Sequence, residues 1–350
     1  MQALPRRRYT PTSIFNISPR CMTPPILAPE RRRRRRSAAS TQQPGAGSES
    51  GKPRVQPGAS GSRRNARDGQ VQSGRIVLKP GREKSLLRRH PWVFSGAIER
   101  VEGTPAAGET VALHSTAGEF LAFAAYSPHS QIRARVWSFD PEARIDEAFL
   151  ADRLREAVDY RARILPERFD AVRLVHGESD GLPGVVIDRY GDTAVMQCSS
   201  AGAERWRDAL ASALVEQGTC RRVYERSDAE VRRLEGLEPR TGALVGDEPP
   251  DVIRVEEGSM AFLVDVRHGQ KTGFFVDQRD NRAHVSQAAR ERRVLDVFSY
   301  TGGFTLAALA GGASHVTAID SSASALKAAR ANADASGLDR SRVAWIEGDA

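Results

Sequence analysis

The chain has 350 residues, long enough for two or three domains with substantial cores, and its 40% hydrophobic and 27% charged content is that of an ordinary folded protein. No run approaches the ~18 consecutive apolar residues of a membrane-spanning helix, and the three cysteines (Cys21, Cys198, Cys220) show neither a C-x-x-C pair nor a metal-ligand spacing, which argues against a disulfide framework or a metal site and for a reducing cytoplasm. The net charge of +8 is lopsided: residues 1–73 hold 15 Lys and Arg against three acids, so the remainder carries −4, and any RNA affinity of the body must come from local patches.

Residues 1–73 are rich in Arg, Pro, Ser and Gly and lack periodicity, a composition that predicts disorder. The run Arg31 to Arg36 could bind RNA without sequence preference. A transit peptide or a start codon assigned too far upstream would give the same composition, and the latter is favoured by the family resemblance given below, which begins abruptly near Ile76.

Residues 74–150 read as short strands (RIVL, WVF, AIERVEG, ETVALHS, EFLAFAAY, IRARVWSF) separated by Gly and Pro, the pattern of a small β-barrel. Lys79, Arg82, Lys84, Arg88, Arg89 and His90 cluster just before Trp92 and Phe94. Cations beside aromatic rings suit phosphate contacts and base stacking, although either ring could instead fill the barrel core.

Residues 151–258 begin within an amphipathic helix spanning 146–163, with Phe149, Leu150, Leu154, Ala157 and Val158 at helical spacing. Strand VVID, a Gly191-Asp192 hairpin turn, strand TAVMQCSS, a helix AERWRDALASALVEQG ending at Gly218, and strands RRVYERSD and VIRVEEG…AFLVDV then suggest a small α+β unit.

Residues 259–350 carry the most informative pattern. QKTGFFVDQRDNRAHVSQAA runs from an extended segment into a helix; RVLDVFSYTGGF is a strand entering a glycine turn that opens a second helix. Two further strands, HVTAID and VAWIEGDA, end at Asp320 and Asp349, and the first carries Asp296 near its end. This β-α-β-α-β unit with an acid at each strand tip suits a nucleoside cofactor. The turn must be small where the cofactor's amino-acid end meets backbone. Asp320 follows Gly302 by 18 residues, the spacing of an acid that accepts from ribose hydroxyls; the lesser alternative is a cap on the helix SSASALKAA. No G-x-G-x-x-G is present to cradle a pyrophosphate, so a dehydrogenase is disfavoured and S-adenosylmethionine (SAM) fits better.

The runs KTGFFVDQRDNR, VLDVFSYTGGF, AIDSSASALKAARANA and EGDA, with LKPGREKSLLRRHPWVFSGAIERVEG, YSPHSQIRARVWSFD and GESDGLPGVVIDRYGD upstream, resemble the bacterial 23S rRNA large-subunit methyltransferase I family over about Ile76 to Ala350. The resemblance implies an α/β protein: a PUA RNA-binding barrel, a small central α+β domain, and the first half of a Rossmann-like class I methyltransferase domain that uses SAM to methylate C5 of a cytosine. It implies 23S rRNA as partner, no metal and no membrane, and is compatible with a homodimer. It places SAM against Phe275, Gln278, Arg279, Asp296, Phe298, Tyr300, Thr301, Gly302, Gly303, Phe304, Asp320, Ser321 and Asp349, and RNA against the basic cluster of residues 79–92. The family's nucleophilic cysteine and an Asp-Pro-Pro segment would lie beyond Ala350, so the chain is expected to be a fragment without a catalytic residue of its own. Its strands would occupy positions 3-2-1 of the sheet and leave LDVF as an exposed edge. Cys198, in an apolar strand, and Cys220 are poor substitutes for that thiol. Two alternatives remain: a methyltransferase of another specificity, for example at a guanine nitrogen, and a non-catalytic RNA-binding protein.

Overall fold

The computed structural model describes residues 74–165 and 169–349. The reading of residues 1–73 lies outside them. The first six strands, β1 (Gly74–Leu78), β2 (Trp92–Phe94), β3 (Ile98–Gly103), β4 (Thr110–His114), β5 (Phe120–Tyr126) and β6 (Ile132–Ser138), form one sheet in the order β2-β6-β5-β4-β1-β3. A one-turn helix α1 (Lys84–Leu87) leads into β2. The sheet wraps around Ile76, Leu78, Val93, Val111, Leu113, Ala122, Ala124 and Val136, whose alternation along short strands places one face inward.

Helix α2 (Glu147–Ile164) forms as its periodicity predicts. Asp146 caps it by accepting from the Phe149 amide at 3.0 Å, and Leu150, Leu154 and Ala157 are buried. It covers one face of a second sheet, ordered β11-β10-β9-β8-β7 and built from β7 (Ala171–His176), β8 (Val185–Tyr190), β9 (Thr193–Cys198), β10 (Arg222–Ser227) and β11 (Arg240–Val245). The Gly191-Asp192 turn joins β8 to β9. The single helix expected next is two, α3 (Ala201–Arg205) and α4 (Arg207–Glu216), because the chain leaves helical geometry at Trp206; a short α5 (Val231–Leu234) follows β10.

The expected boundary at residues 258/259 falls in the turn of a hairpin, β12 (Ile253–Glu257) and β13 (Met260–Val264), that forms its own two-stranded sheet rather than completing the central one. The physical reason lies at the outer edge of β13. The Ala261 and Leu263 amides donate to Ser336 Oγ and Asn332 Oδ1 at 2.9 and 2.8 Å, so the methyltransferase module satisfies that edge. Phe262 and Val264 pack with Tyr190 and Val195 of the central sheet and with Leu306 in a shared core.

The last module has α6 (Arg279–Ala288), β14 (Arg293–Val297), α7 (Gly303–Ala310), β15 (His315–Asp320), α8 (Ala323–Ala335) and β16 (Val343–Glu347), with a parallel sheet in the order β14-β15-β16. This is the predicted alternation and neighbour order. Among the described residues nothing pairs with the free side of β14, and Leu295 and Phe298 are 63% and 75% exposed there.

Candidate functional site

The site begins where β14 ends. Phe298 and Tyr300 have φ of 61° and 48°, left-handed values that bulky residues rarely adopt, and Gly302 follows at 79°. Gly302 cannot be replaced: a Cβ there would stand 2.9 Å from Ala329 Cβ. The turn is pinned from β15. The Ser299 amide donates to Ile319 O at 2.9 Å, and the Tyr300 amide to Asp320 Oδ2 at 2.7 Å. Asp320 Oδ1 accepts from the Ser322 amide at 2.9 Å, whereas the cap of α8 is Ser322, whose Oγ accepts from Ala325. Asp320 is therefore not the helix cap, and its two oxygens retain acceptor capacity beyond these amides.

Asp296 is buried and accepts from Thr305 Oγ1 at 2.6 Å. Desolvation raises its carboxyl above the usual range, against the opposing pull of the Thr305 bonds. Asn332, buried on the apolar stripe of α8, donates to Thr301 O at 2.9 Å and so ties the turn to β13.

Opposite the turn runs the segment from Lys271 to Arg282, and between the two lies a cavity of about 300 Å³. Of the predicted cofactor residues, Phe275, Gln278, Phe298, Tyr300, Thr301, Gly303 and Phe304 line it. Lys271, Phe274, Asp277, Arg282 and Ser299 line it too and were missed. Phe275 and Tyr300 meet edge to face at 5.6 Å, and the Tyr300 hydroxyl accepts from the Gln270 amide at 2.8 Å. Asp296, Gly302, Asp320, Ser321 and Asp349 stand outside the lining; Asp320 holds the Tyr300 amide, and Ser321 and Asp349 are exposed near strand tips.

Arg279 departs from its predicted place. Its guanidinium lies 3.7 Å over the Phe169 ring and donates to Ala171 O, so it clasps the central module instead of facing the cavity. The arginine that does line the cavity, one helical turn later, is Arg282, almost fully buried and held by Glu257 at 2.7 and 2.6 Å and by Phe275 O at 3.0 Å. Nothing in the local sequence separates the two; Asn332, a polar residue within an apolar helical stripe, was a readable signal.

The donor set fits SAM: aromatic faces for a nucleoside thioether and backbone without bulky side chains at Thr301–Gly303 in the cavity, with Asp320 at the tip of β15 beside the turn, outside the lining, for ribose hydroxyls. No group of three or more His, Cys, Asp or Glu able to hold a metal occurs among the described residues. Nor is any helix among them long and apolar enough to cross a membrane.

The basic cluster occupies the turn after β1 and helix α1. Arg82, Lys84, Arg88 and Arg89 make no ion pair among the described residues, whereas most arginines of the body do; Glu83 lies among them. Lys79 Nζ donates to Gly96 O at 3.2 Å, Arg89 sits 4.9 Å over Phe139, and His90 Nδ1 accepts from the Trp92 amide at 3.2 Å. Trp92 is half-buried and its indole donates to Glu178 of the central module at 2.7 Å, so the ring is committed to a module joint. Phe94, 50% exposed and edge-on to Trp92, is the freer ring, and with Arg82 it lines a cavity of about 290 Å³.

Neither described cysteine approaches the SAM cavity. Cys198 is fully buried and its thiol is pushed far up by desolvation; burial raises Cys220 to about 11.

Fold and cavity together define a class I SAM-dependent methyltransferase with an N-terminal PUA-like barrel. Residues 76–139 match the PUA-like domain family and residues 237–349 the S-adenosylmethionine-dependent methyltransferase family. The chain belongs to the ribosomal RNA large subunit methyltransferase I family: it is 49% identical over 278 residues to the members from Shigella boydii and Escherichia coli K12, an overlap covering 79% of this chain and 70% of each relative. Two solved structures share the fold at 24% identity, each covering 79% of this chain and 70% of the other. One is a Streptococcus mutans protein described as a SAM-dependent methyltransferase (TM-score 0.68), the other a methyltransferase, SMU.776, complexed with S-adenosylhomocysteine (TM-score 0.69).

Proposed function

We propose that the protein methylates carbon 5 of a cytosine in 23S rRNA, in the cytoplasm, with SAM as methyl donor. The observation that carries the reading is the coexistence, in a chain 49% identical to rRNA methyltransferases, of the turn-walled cavity and an unneutralised basic face on the PUA-like barrel. SAM supplies an electrophilic methyl group. The chain's residues orient it: the left-handed turn at Phe298–Gly302 presents backbone, Phe275 and Tyr300 provide apolar walls that exclude water, and Asp320 offers acceptors at the tip of β15. The cations of residues 79–89 would hold phosphates and Phe94 would stack a base.

Carbon 5 is a weak nucleophile until a thiolate adds at C6. Cys198 and Cys220 are buried and neither lines the cavity, so neither is placed to supply that thiolate. The second reading is transfer to a guanine nitrogen, which needs no thiolate. The test supplies labelled SAM and 23S rRNA transcribed without modifications to the protein that carries this chain, and digests the RNA to nucleosides. 5-Methylcytidine is the expected product; labelled methylguanosine would replace the first reading with the second, and unlabelled RNA that is nonetheless bound would leave an RNA-binding protein.

A further inference from the structure

The SAM cavity contains two charged residues with no role so far. Lys271 Nζ rests 4.7 Å over the Phe275 ring, is exposed, and makes no ion pair among the described residues. Asp277 is exposed and accepts from Gln278 Nε2 at 3.4 Å. The other charged lining residue, Arg282, is neutralised by Glu257, and Arg173, whose charge Asp277 feels, is already held by Asp188 at 2.8 and 2.9 Å.

The cavity lies against the glycine turn, whereas Asp320 and Asp349 stand outside its lining. It is therefore the pocket for the cofactor's amino-acid end, the part that meets the turn, rather than for its ribose. Lys271 is held there by its backbone. Its φ is 56°, a strained value, and its neighbours are pinned on both sides: the Gln270 amide donates to the Tyr300 hydroxyl at 2.8 Å, and the buried Thr272 hydroxyl donates to Asp188 at 2.6 Å.

We propose that Lys271 and Asp277 form the subsite for the α-carboxylate and α-ammonium groups of SAM. The subsite rests on the reading of the cavity as a SAM site and makes the pocket selective for an adenosyl amino acid over a bare thionucleoside. One cation and one anion match a zwitterion, and the Phe275 face that carries the Lys271 ammonium is free to meet another cationic group once the lysine turns to a carboxylate.

The test is calorimetry on the full chain with S-adenosylhomocysteine and with 5′-methylthioadenosine, which keeps the nucleoside thioether and lacks the amino acid. The wild type should prefer S-adenosylhomocysteine. Lys271→Met should weaken S-adenosylhomocysteine about tenfold or more, the scale of one charge-assisted bond, and leave methylthioadenosine unchanged; Asp277→Asn should do the same. Equal loss of both ligands would reduce Lys271 to packing on Phe275 and overturn the proposal, as would no loss of either. A wild type that binds the two ligands equally would remove the subsite and leave the SAM site standing; a wild type that binds neither would sink the SAM site and the subsite with it.

Discussion

The Thr272 hydroxyl donates to Asp188 at 2.6 Å, joining the cavity-wall segment to β8 of the central module. Asp188 is fully buried, also binds Arg173 in a fork, and Thr272 bonds the Tyr190 hydroxyl at 2.9 Å. One wall of the SAM cavity is thus held by a module that carries none of the predicted cofactor residues. Thr272→Val leaves two buried polar groups short of a partner and should cost about 1–3 kcal/mol in urea unfolding. It should also weaken S-adenosylhomocysteine; an unchanged affinity would show that the wall keeps its position without the bond.

Asp320 holds the Tyr300 and Ser322 amides and is proposed to accept from the ribose. Asp320→Ala should weaken S-adenosylhomocysteine by about 1.5–3 kcal/mol, the scale of hydrogen bonds to a charged group. Adenosine and 2′,3′-dideoxyadenosine separate the two roles: if the wild type binds both equally, the carboxylate serves the turn alone.

Replacing Arg82, Lys84, Arg88 and Arg89 together with Gln should flatten the dependence of log K on log salt for 23S rRNA fragments, since fewer counterions are released. Phe94→Ala should lower affinity by about 1–3 kcal/mol, the scale of one stacked base, with no change in that slope. An unaltered slope in the fourfold variant, measured on residues outside the basic 1–73 segment, would place the RNA on another face.

Burial holds Cys220 at about 11 and Cys198 higher still. At pH 8 only about one Cys220 thiol in a thousand is ionised. Neither should react with iodoacetamide in the folded protein within hours, and the double Cys→Ser variant should retain whatever methyl transfer the protein has. Loss of transfer with folding intact would make one of them the nucleophile.

Asp296 has a carboxyl raised by burial, so the folded chain holds its proton more tightly than the unfolded chain. Its contribution to stability is fully present below the unfolded value and is lost as pH rises through the raised one. The thermal midpoint of wild type relative to Asp296→Asn should therefore fall as pH rises above the ordinary carboxylate range. A difference that stays level would mean that the Thr305 bonds cancel the burial.

The local patterns in this chain were legible because they are periodic or spaced by short-range geometry. The stripe of α2, the Gly191-Asp192 hairpin and the glycine turn each depend on residues a few positions apart, and the sequence alone determined them, together with the alternation and neighbour order of β14, β15 and β16. Which side chains reach the cavity was decided by tertiary contacts. Arg279 and Arg282 lie on one short helix with the same chemistry, and only the positions of Phe169 and Glu257, far away in sequence, turn one outward and the other in. The hairpin β12–β13 could have completed the central sheet, but Asn332 and Ser336 satisfy its edge amides from the other side. Trp92 had the composition of a base-stacking ring until Glu178, 86 residues on, took its indole hydrogen. Local patterning sets which elements form; burial and hydrogen-bond completion between distant segments set where each functional group points.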